Sequence, residues 1–121
     1  MVSLYFSEGE VSCRCGCGDA VMNRAFMDRL DAIRTRVGRP VWLTSAKRCF
    51  KHNLAVSTVG ESSPHLLGIA ADIAVYSSHE RWEIVTAAVI AGINRIGVGA
   101  KFVHVDSGGV APYVPNMIWL Y

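Results

Sequence analysis

The 121-residue chain contains 51% apolar and 18% charged side chains, a balance that excludes disorder by composition. Its length fits a single domain, residues 1–121, with one core. The formal net charge is only +2 and the arginines between residues 24 and 39 are scattered, which argues against a nucleic-acid partner.

Membrane segments and export signals are not expected. The longest apolar stretches, such as residues 84–93, fall short of the roughly 20 residues that a membrane span requires. Residues 1–8 lack a basic start followed by a sustained apolar run, so the sequence predicts no secretory signal. We therefore expect synthesis in the cytoplasm and no stable membrane insertion.

Four cysteines, Cys13, Cys15, Cys17 and Cys49, stand out in so short a chain. In a reducing compartment they would suggest metal thiolates, and outside the cell one or two disulfides. Cysteines two residues apart rarely bridge each other without strain, so a disulfide would join Cys49 to one of the other three. Thiols without a role in activity are the third alternative.

The first half of the chain predicts a helix, a strand and a loop. Apolar side chains at helical spacing predict an amphipathic helix over residues 20–37, with Asp19 as N-cap and Gly38 as its stop. Residues 40–44 are rich in strand formers and predict a strand. Residues 45–64 show no clear period and predict a long surface loop, which in a small domain is often functional.

The second half predicts a mixture of strands and a helix. Small apolar side chains around Asp72 indicate a buried strand over residues 68–75, and the capping-box pattern of residues 77–80 begins a second helix. Residues 96–98 and 102–106 predict two strands that form a β-hairpin. Because no βαβ repeat occurs, the sequence predicts an α+β fold with a small antiparallel sheet flanked by helices.

Candidate chemistry is concentrated in residues 63–72 and 102–106. A lone aspartate in an apolar strand is costly to bury unless it is paired, hydrogen-bonded or bound to a cation. A Zn²⁺ ion shared by His65, Asp72 and His104 would satisfy all three and leave a fourth position for water. A metal-free hydrogen bond between Asp72 and a histidine accounts for the same residue types.

The pattern Ser-x-His-x-x-Gly-x-Ala-x-Asp of residues 63–72, with the later Val-His-Val-Asp of residues 103–106, resembles the zinc D-alanyl-D-alanine carboxypeptidase family. That family includes phage L-alanyl-D-glutamate endolysins and shares its fold with the hedgehog signalling domain. Residues 44–53 are similar to the family's Ser-Gly-Tyr-Arg segment ending in Asn. Residues 6–18, with their three cysteines, look like the N-terminal segment of small phage and prophage members.

The resemblance implies a role for individual residues. His65, Asp72 and His104 would hold one Zn²⁺ ion per chain, and Arg48 would be a catalytic residue that binds a substrate carboxylate. The planar guanidinium suits that task because it can donate two parallel hydrogen bonds. Ser63 would lie beside the metal and bind substrate.

The resemblance also implies a function. It predicts a metallopeptidase that hydrolyses peptide stems of bacterial peptidoglycan, as a D,D-carboxypeptidase or as an endopeptidase of the endolysin kind. Such a protein would be a monomer and would reach the cell wall by phage-type release. The alternative is a zinc-bearing wall-binding or structural module of the same fold that has lost catalysis.

The chain departs from the family where a catalytic base is expected. Family members carry a carboxylate three residues before the last histidine ligand or a histidine two before it, whereas this chain has Lys101 and Phe102. Asp106 shares a strand face with His104 and is the first candidate, either as the base or as a group that orients His104. Other candidates follow: Glu61, His52 and His79. Lys47 replaces the usual tyrosine of the substrate segment.

Overall fold

The computed structural model describes residues 1–56, 63–107 and 114–121. Its helices are α1 (Glu8–Val11), α2 (Arg24–Val37), α3 (Phe50–Val56) and α4 (Ser78–Ile90), with a 3₁₀ helix at Pro64–Leu67. Its strands are β1 (Leu43–Ser45), β2 (Ala70–Ala74), β3 (Arg95–Val98), β4 (Phe102–Asp106) and β5 (Met117–Leu120). The predicted α+β class is confirmed.

Within the described residues, the five strands form one sheet in the order β1-β2-β4-β3-β5. The pairs β1–β2, β2–β4 and β3–β4 are antiparallel, and β3 and β4 are the predicted hairpin. The last strand pairs parallel to β3, so the sheet is mixed at that edge. Sequence analysis did not predict β5.

The core lies between one face of the sheet and helices α2 and α4. Side chains alternate along a strand, and Ile73, Val103 and Val105 point into this core, where they are fully buried. The neighbouring positions on β2 and β4, including Asp72 and His104, face the opposite side. One face of the sheet therefore packs against the helices, and the other face carries Asp72 and His104.

Helix α2 begins later than predicted. Asn23 is its N-cap, because its side chain accepts a hydrogen bond from the Phe26 backbone N–H at 2.9 Å. The predicted cap, Asp19, is wrong; its carboxylate accepts from the Val21 N–H at 3.3 Å in the turn before the helix. The predicted stop is confirmed, with Gly38 in the left-handed conformation at φ 76°.

Strand β1 and the segment after it also differ from expectation. The strand occupies Leu43–Ser45 rather than residues 40–44. The predicted loop, residues 45–64, contains helix α3, and the 3₁₀ helix begins at its last residue, Pro64. Residues 57–62 lie outside the described part of the chain. The prediction of a loop is therefore wrong for residues 50–56, which are helical.

Helix α4 begins as predicted. The Ser77 side chain caps it by accepting from the Glu80 N–H at 3.1 Å. The Glu80 carboxylate accepts from the backbone N–H of Tyr76 at 2.6 Å rather than from that of Ser77. No helix among the described residues is both long enough and apolar enough to cross a membrane.

Candidate metal centre

Asp72 and His104 lie directly opposite each other on the antiparallel strands β2 and β4. The Nδ1 atom of His104 is 2.8 Å from Oδ1 of Asp72. Both side chains are largely withdrawn from solvent, with 14% of the Asp72 side chain and 5% of the His104 side chain exposed. The prediction that Asp72 needs a partner in its apolar strand is confirmed.

His65 reaches the same point from the 3₁₀ helix. Ser63 caps this helix, since its hydroxyl accepts from the His65 backbone N–H at 3.3 Å. The ring Nδ1 of His65 lies 2.6 Å from the backbone carbonyl oxygen of Ala46. A carbonyl can only accept, so Nδ1 carries a proton, and Nε2 lies 3.5 Å from Oδ1 of Asp72.

Asp106 supports His104 from the other side of its ring. Its Oδ2 atom is 2.6 Å from Nε2 of His104, and its Oδ1 atom is 2.9 Å from Nε of Arg95. The Asp106 side chain is fully buried. Both carboxylate oxygens of Asp106 are therefore engaged with neighbouring side chains.

The charges of this cluster are mutually dependent. Burial alone would raise the pKa of Asp72, but hydrogen bonds and charge interactions with His104 and His65 hold that pKa below its ordinary value. Burial alone would lower the pKa of His104, but hydrogen bonds with Asp106 and Asp72 raise it. The two carboxylates beside the His104 ring thus favour its charged form.

The donor atoms fit a tetrahedral zinc ion. Ligand atoms of His65, Asp72 and His104 all lie within 4.8 Å of one another. Zinc bonds of about 2.0–2.1 Å put the donors of a tetrahedral site about 3.4 Å apart, and the observed separations of 2.8 and 3.5 Å bracket that value. Two imidazole nitrogens and a carboxylate oxygen are also ligands that zinc prefers.

Arg48 and Ser63 lie at the same cleft, which has a volume of about 520 Å³ and includes all three candidate ligands in its lining. The Arg48 guanidinium donates through Nε to Ser45 Oγ at 3.2 Å and through Nη1 to Asn53 Oδ1 at 3.3 Å. Its Nη2 atom is 3.5 Å from Oδ2 of Asp72. These contacts therefore hold the Arg48 side chain in the cleft, and it does not extend into solvent.

His52 and His79 are not among the described residues that line this cleft. His52 lies on α3, and His79 lies on α4, where it is 3.8 Å from Glu83 and stacks on Trp82. Glu61 falls outside the described residues. In the described part of the cleft lining the carboxylates are Asp72 and Asp106.

Sequence analysis missed three side chains that line the cleft: Arg95, Trp119 and Tyr121. The Trp119 ring lies 5.5 Å from the His104 ring, and the Arg95 guanidinium stacks over it at 4.9 Å. Gly97 makes room for them, since a Cβ there would come within 2.7 Å of Trp119 and 2.6 Å of Tyr121. The available signal was the pair of aromatic residues two positions apart, Trp119 in the last strand and Tyr121 directly after it.

Two of the positions that depart from the family pattern have other contacts. Phe102 lines the cleft and packs on Tyr121, with ring centroids 4.9 Å apart. Lys47 donates through Nζ to the backbone carbonyl of Leu66 and lies 3.8 Å from the Asp19 carboxylate. Lys47 therefore joins backbone segments, and it is not among the described residues that line the cleft.

An α+β domain in which two histidines and an aspartate converge at an open cleft defines a candidate metallohydrolase. The chain matches the family model described as Peptidase M15 over residues 4–106, and it belongs to this family. The resemblance noted in the sequence is thereby confirmed at the level of the family, and membership indicates a peptidase. A comparison with curated proteins gives no match.

Proposed function

We propose that this chain is a zinc-dependent peptidase that hydrolyses peptide bonds in the stems of bacterial peptidoglycan. One observation carries the proposal: His65, Asp72 and His104 converge at a cleft that also contains Arg48. Membership of a peptidase family supports the reaction class. The resemblance of residues 44–53 and 63–72 to wall-cleaving enzymes supports the substrate.

His65 would bind the metal through Nε2, because its Nδ1 is committed to the Ala46 carbonyl. His104 would bind through Nδ1, because its Nε2 faces Asp106. Asp72 would supply a carboxylate oxygen. A bound zinc ion polarises a scissile carbonyl and lowers the pKa of a water molecule toward about 7.

Asp106 acts in this proposal by orienting His104, not by taking a proton from water. A carboxylate behind a metal-binding histidine fixes the ring and makes its free nitrogen more basic. Both oxygens of Asp106 are already engaged, by His104 and by Arg95. The side chain is also fully buried, so water reaches neither oxygen.

Arg48 binds the carboxylate of the peptide stem and thereby places the scissile bond beside His65 and His104. Its Nη2 lies 3.5 Å from Oδ2 of Asp72, so the guanidinium lies beside the candidate metal ligands. Ser45 and Asn53 hold the guanidinium in position, which reduces the entropy lost on binding. Ser63, beside His65 in the same cleft, offers a hydroxyl to the substrate.

The resemblance supports either D,D-carboxypeptidase or endopeptidase action, of the kind found in phage and prophage endolysins. A carboxypeptidase would use Arg48 for the terminal carboxylate of the stem, and an endopeptidase would use it for a side-chain carboxylate of the stem. We propose that the protein acts as a monomer at the cell wall after phage-type release.

A non-catalytic wall-binding module of the same fold is the second candidate. The observation that favours it is that both carboxylates in the described cleft lining are occupied, Asp72 by the histidines and Asp106 by His104 and Arg95. Such a module would bind stem peptides without turning them over.

Digestion of purified peptidoglycan by the zinc-loaded protein tests the proposal. We expect release of D-alanine or of cleaved stem peptides, identified by mass spectrometry, and a loss of at least about 100-fold in His65→Ala, because a ligand is removed. His79→Ala is the matched control, since this exposed histidine lies outside the cleft. Equal hydrolysis by wild type and His65→Ala would refute the catalytic role. Binding without any hydrolysis would select the second candidate.

A further inference from the structure

A second cluster of side chains that can bind a metal ion lies outside the cleft: Cys13, Cys15, Cys17 and Cys49. Their four sulfur atoms all lie within 4.8 Å of one another, although Cys49 is separated from Cys13 by 36 residues. None of the four belongs to the described lining of the cleft. Chain folding has therefore gathered every cysteine of the sequence at one point.

The distances between the sulfur atoms match a tetrahedral metal site. A zinc ion with bonds of about 2.3 Å to sulfur holds its four ligands about 3.8 Å apart. The Sγ atom of Cys13 is 3.4 Å from that of Cys15 and 3.8 Å from that of Cys49, and Cys15 and Cys49 are 3.7 Å apart. A disulfide would require about 2.05 Å, and all four cysteines are free thiols.

Backbone N–H groups point at three of the four sulfur atoms. The N–H of Cys49 donates to Cys13 Sγ at 3.4 Å, that of His52 donates to Cys49 Sγ at 3.4 Å, and that of Asp19 donates to Cys17 Sγ at 3.5 Å. Donors of this kind stabilise negative charge on sulfur. Zinc binds the thiolate and not the thiol, so the local backbone favours the form that the metal needs.

The turn that carries three of the cysteines depends on two glycines. Gly16 and Gly18 have φ angles of 85° and 87°, a conformation that other residues adopt at a cost. Neither glycine has a heavy atom within 4 Å of where a Cβ would lie, so packing does not require glycine there. The glycines instead let the chain reverse so that Cys13, Cys15 and Cys17 face one point.

We propose that Cys13, Cys15, Cys17 and Cys49 bind a structural Zn²⁺ ion, additional to the one proposed for the cleft. Four protein ligands close the coordination sphere, which is the arrangement of structural rather than catalytic zinc. Binding converts the thiols to thiolates and releases their protons. The proposal does not depend on the peptidase function, because the two sites share no ligand.

The position of this site gives it a role in shaping the cleft. Cys49 directly follows Arg48, and Cys13 accepts the backbone N–H of Cys49. The neighbouring Lys47 N–H donates to the Val11 carbonyl at 3.0 Å, and the Arg48 N–H donates to the His65 carbonyl at 3.2 Å. A metal ion bound by the cysteines would thus connect the N-terminal segment to the part of the chain that contains Arg48.

Metal content under reducing, oxygen-free conditions tests the proposal on the wild-type chain. We expect one ion at each site, hence twice the zinc of a single-site protein, measured by native mass spectrometry and elemental analysis. His65→Ala should lose the cleft ion only, and Cys15→Ser/Cys17→Ser the cysteine ion only. These two thiols are exposed, so the double variant removes ligands without disturbing buried packing.

Cobalt substitution supplies a readout that is independent of activity. Cobalt-loaded His65→Ala should show thiolate-to-cobalt charge-transfer absorption, and Cys15→Ser/Cys17→Ser should lack it, because cobalt in the cleft has no sulfur ligand. Three results would each overturn the proposal: a folded wild type with a single ion that His65→Ala abolishes, a cobalt spectrum without thiolate bands, or a disulfide among these cysteines in protein kept reduced.

Discussion

Asp72 shows how far a single residue can be interpreted before a structure exists. Its burial in an apolar strand predicted a partner, and the structure supplies His104 at 2.8 Å, His65 at 3.5 Å and Arg48 at 3.5 Å. The identity of those partners followed from a motif and not from physics. Arg95 was not predicted, because its contact with Asp106 depends on the register of β3 against β4, which sequence alone does not specify.

Replacement of Asp106 by asparagine separates the two roles considered for this residue. If Asp106 orients His104, the Asp106→Asn variant should bind zinc about 10–100-fold more weakly, and the zinc-saturated variant should keep most of its kcat. Zinc affinity is measured by competition with a chelator, and kcat is measured at saturating zinc. A large fall in kcat with unchanged zinc affinity would instead identify Asp106 as the base.

Because the buried Asp106 carboxylate pairs with Arg95, the substitution also removes a charge partner, which costs about 3–5 kcal/mol of stability. Circular dichroism of the variant at the assay temperature is therefore the control. The zinc affinity and kcat of Asp106→Asn bear on the role of Asp106 only if the variant is folded.

Metal binding by His104 should depend on pH. Burial opposes the charged ring, but Asp106 and Asp72 raise the pKa of His104 above its ordinary value of about 6.5. Zinc at Nδ1 must displace the proton that Asp72 accepts, so below the raised pKa the affinity should fall about tenfold per pH unit, and it should level off above that pKa. The ¹⁵N NMR signals of the His104 ring, followed during zinc titrations at several pH values, report this site alone. An affinity that stays constant as the pH falls below about 6.5 would contradict the assignment.

At the scale of elements, prediction succeeded where an element packs against the core and failed where it does not. Helices α2 and α4 and strands β2 and β4 bury apolar side chains at regular spacing, which is the signal that sequence analysis detects. Helix α3 buries only Asn53 among its seven residues, so it shows no amphipathic period. Strand β5 is largely exposed at the sheet edge and gave no alternating pattern of burial.

The start of α2 failed for a different reason. Asp19 and Asn23 are both good N-caps, and Val21 and Met22 between them continue the apolar spacing of the helix. In the structure Val21 is 76% exposed, so its apolar character does not reflect burial. The choice between the caps is made by contacts of the preceding turn, including the bond from the Asn23 N–H to the Gly68 carbonyl at 2.9 Å.

The junction between the 3₁₀ helix and β2 depends on Gly68. A Cβ at this residue would lie 2.6 Å from the Val21 carbonyl oxygen and 2.9 Å from the Met22 Cα, and φ is 68°. Gly38 has a similar φ of 76° but nothing within 4 Å, so it is a matched control. These distances show that Gly68 admits a close approach of the backbone at Val21 and Met22.

We expect Gly38→Ala to lose about 1–2 kcal/mol of unfolding free energy from its backbone conformation. Gly68→Ala should lose about 1–3 kcal/mol more, because backbone atoms must move. Urea unfolding of both variants and of wild type measures the difference. Equal losses at the two positions would show that the close approach at Gly68 is unimportant.

At the scale of the whole molecule, the sheet divides two tasks. Its inner face packs on α2 and α4, and its outer face carries Asp72 and His104. The N-terminal segment is tied to this scaffold through Asp31 of α2, whose carboxylate accepts from Ser3 Oγ and from the N–H groups of Leu4 and Tyr5. The cleft is thus built from one face of the sheet and from the segments outside it that carry Arg48 and His65.

Anomalous diffraction at the zinc edge from crystals of the zinc-loaded protein tests the central assignment most directly. We predict a peak within bonding distance of His65 Nε2, an Asp72 carboxylate oxygen and His104 Nδ1, separate from any peak at the cysteines. A zinc-saturated, folded protein with no peak among these three side chains would contradict the assignment.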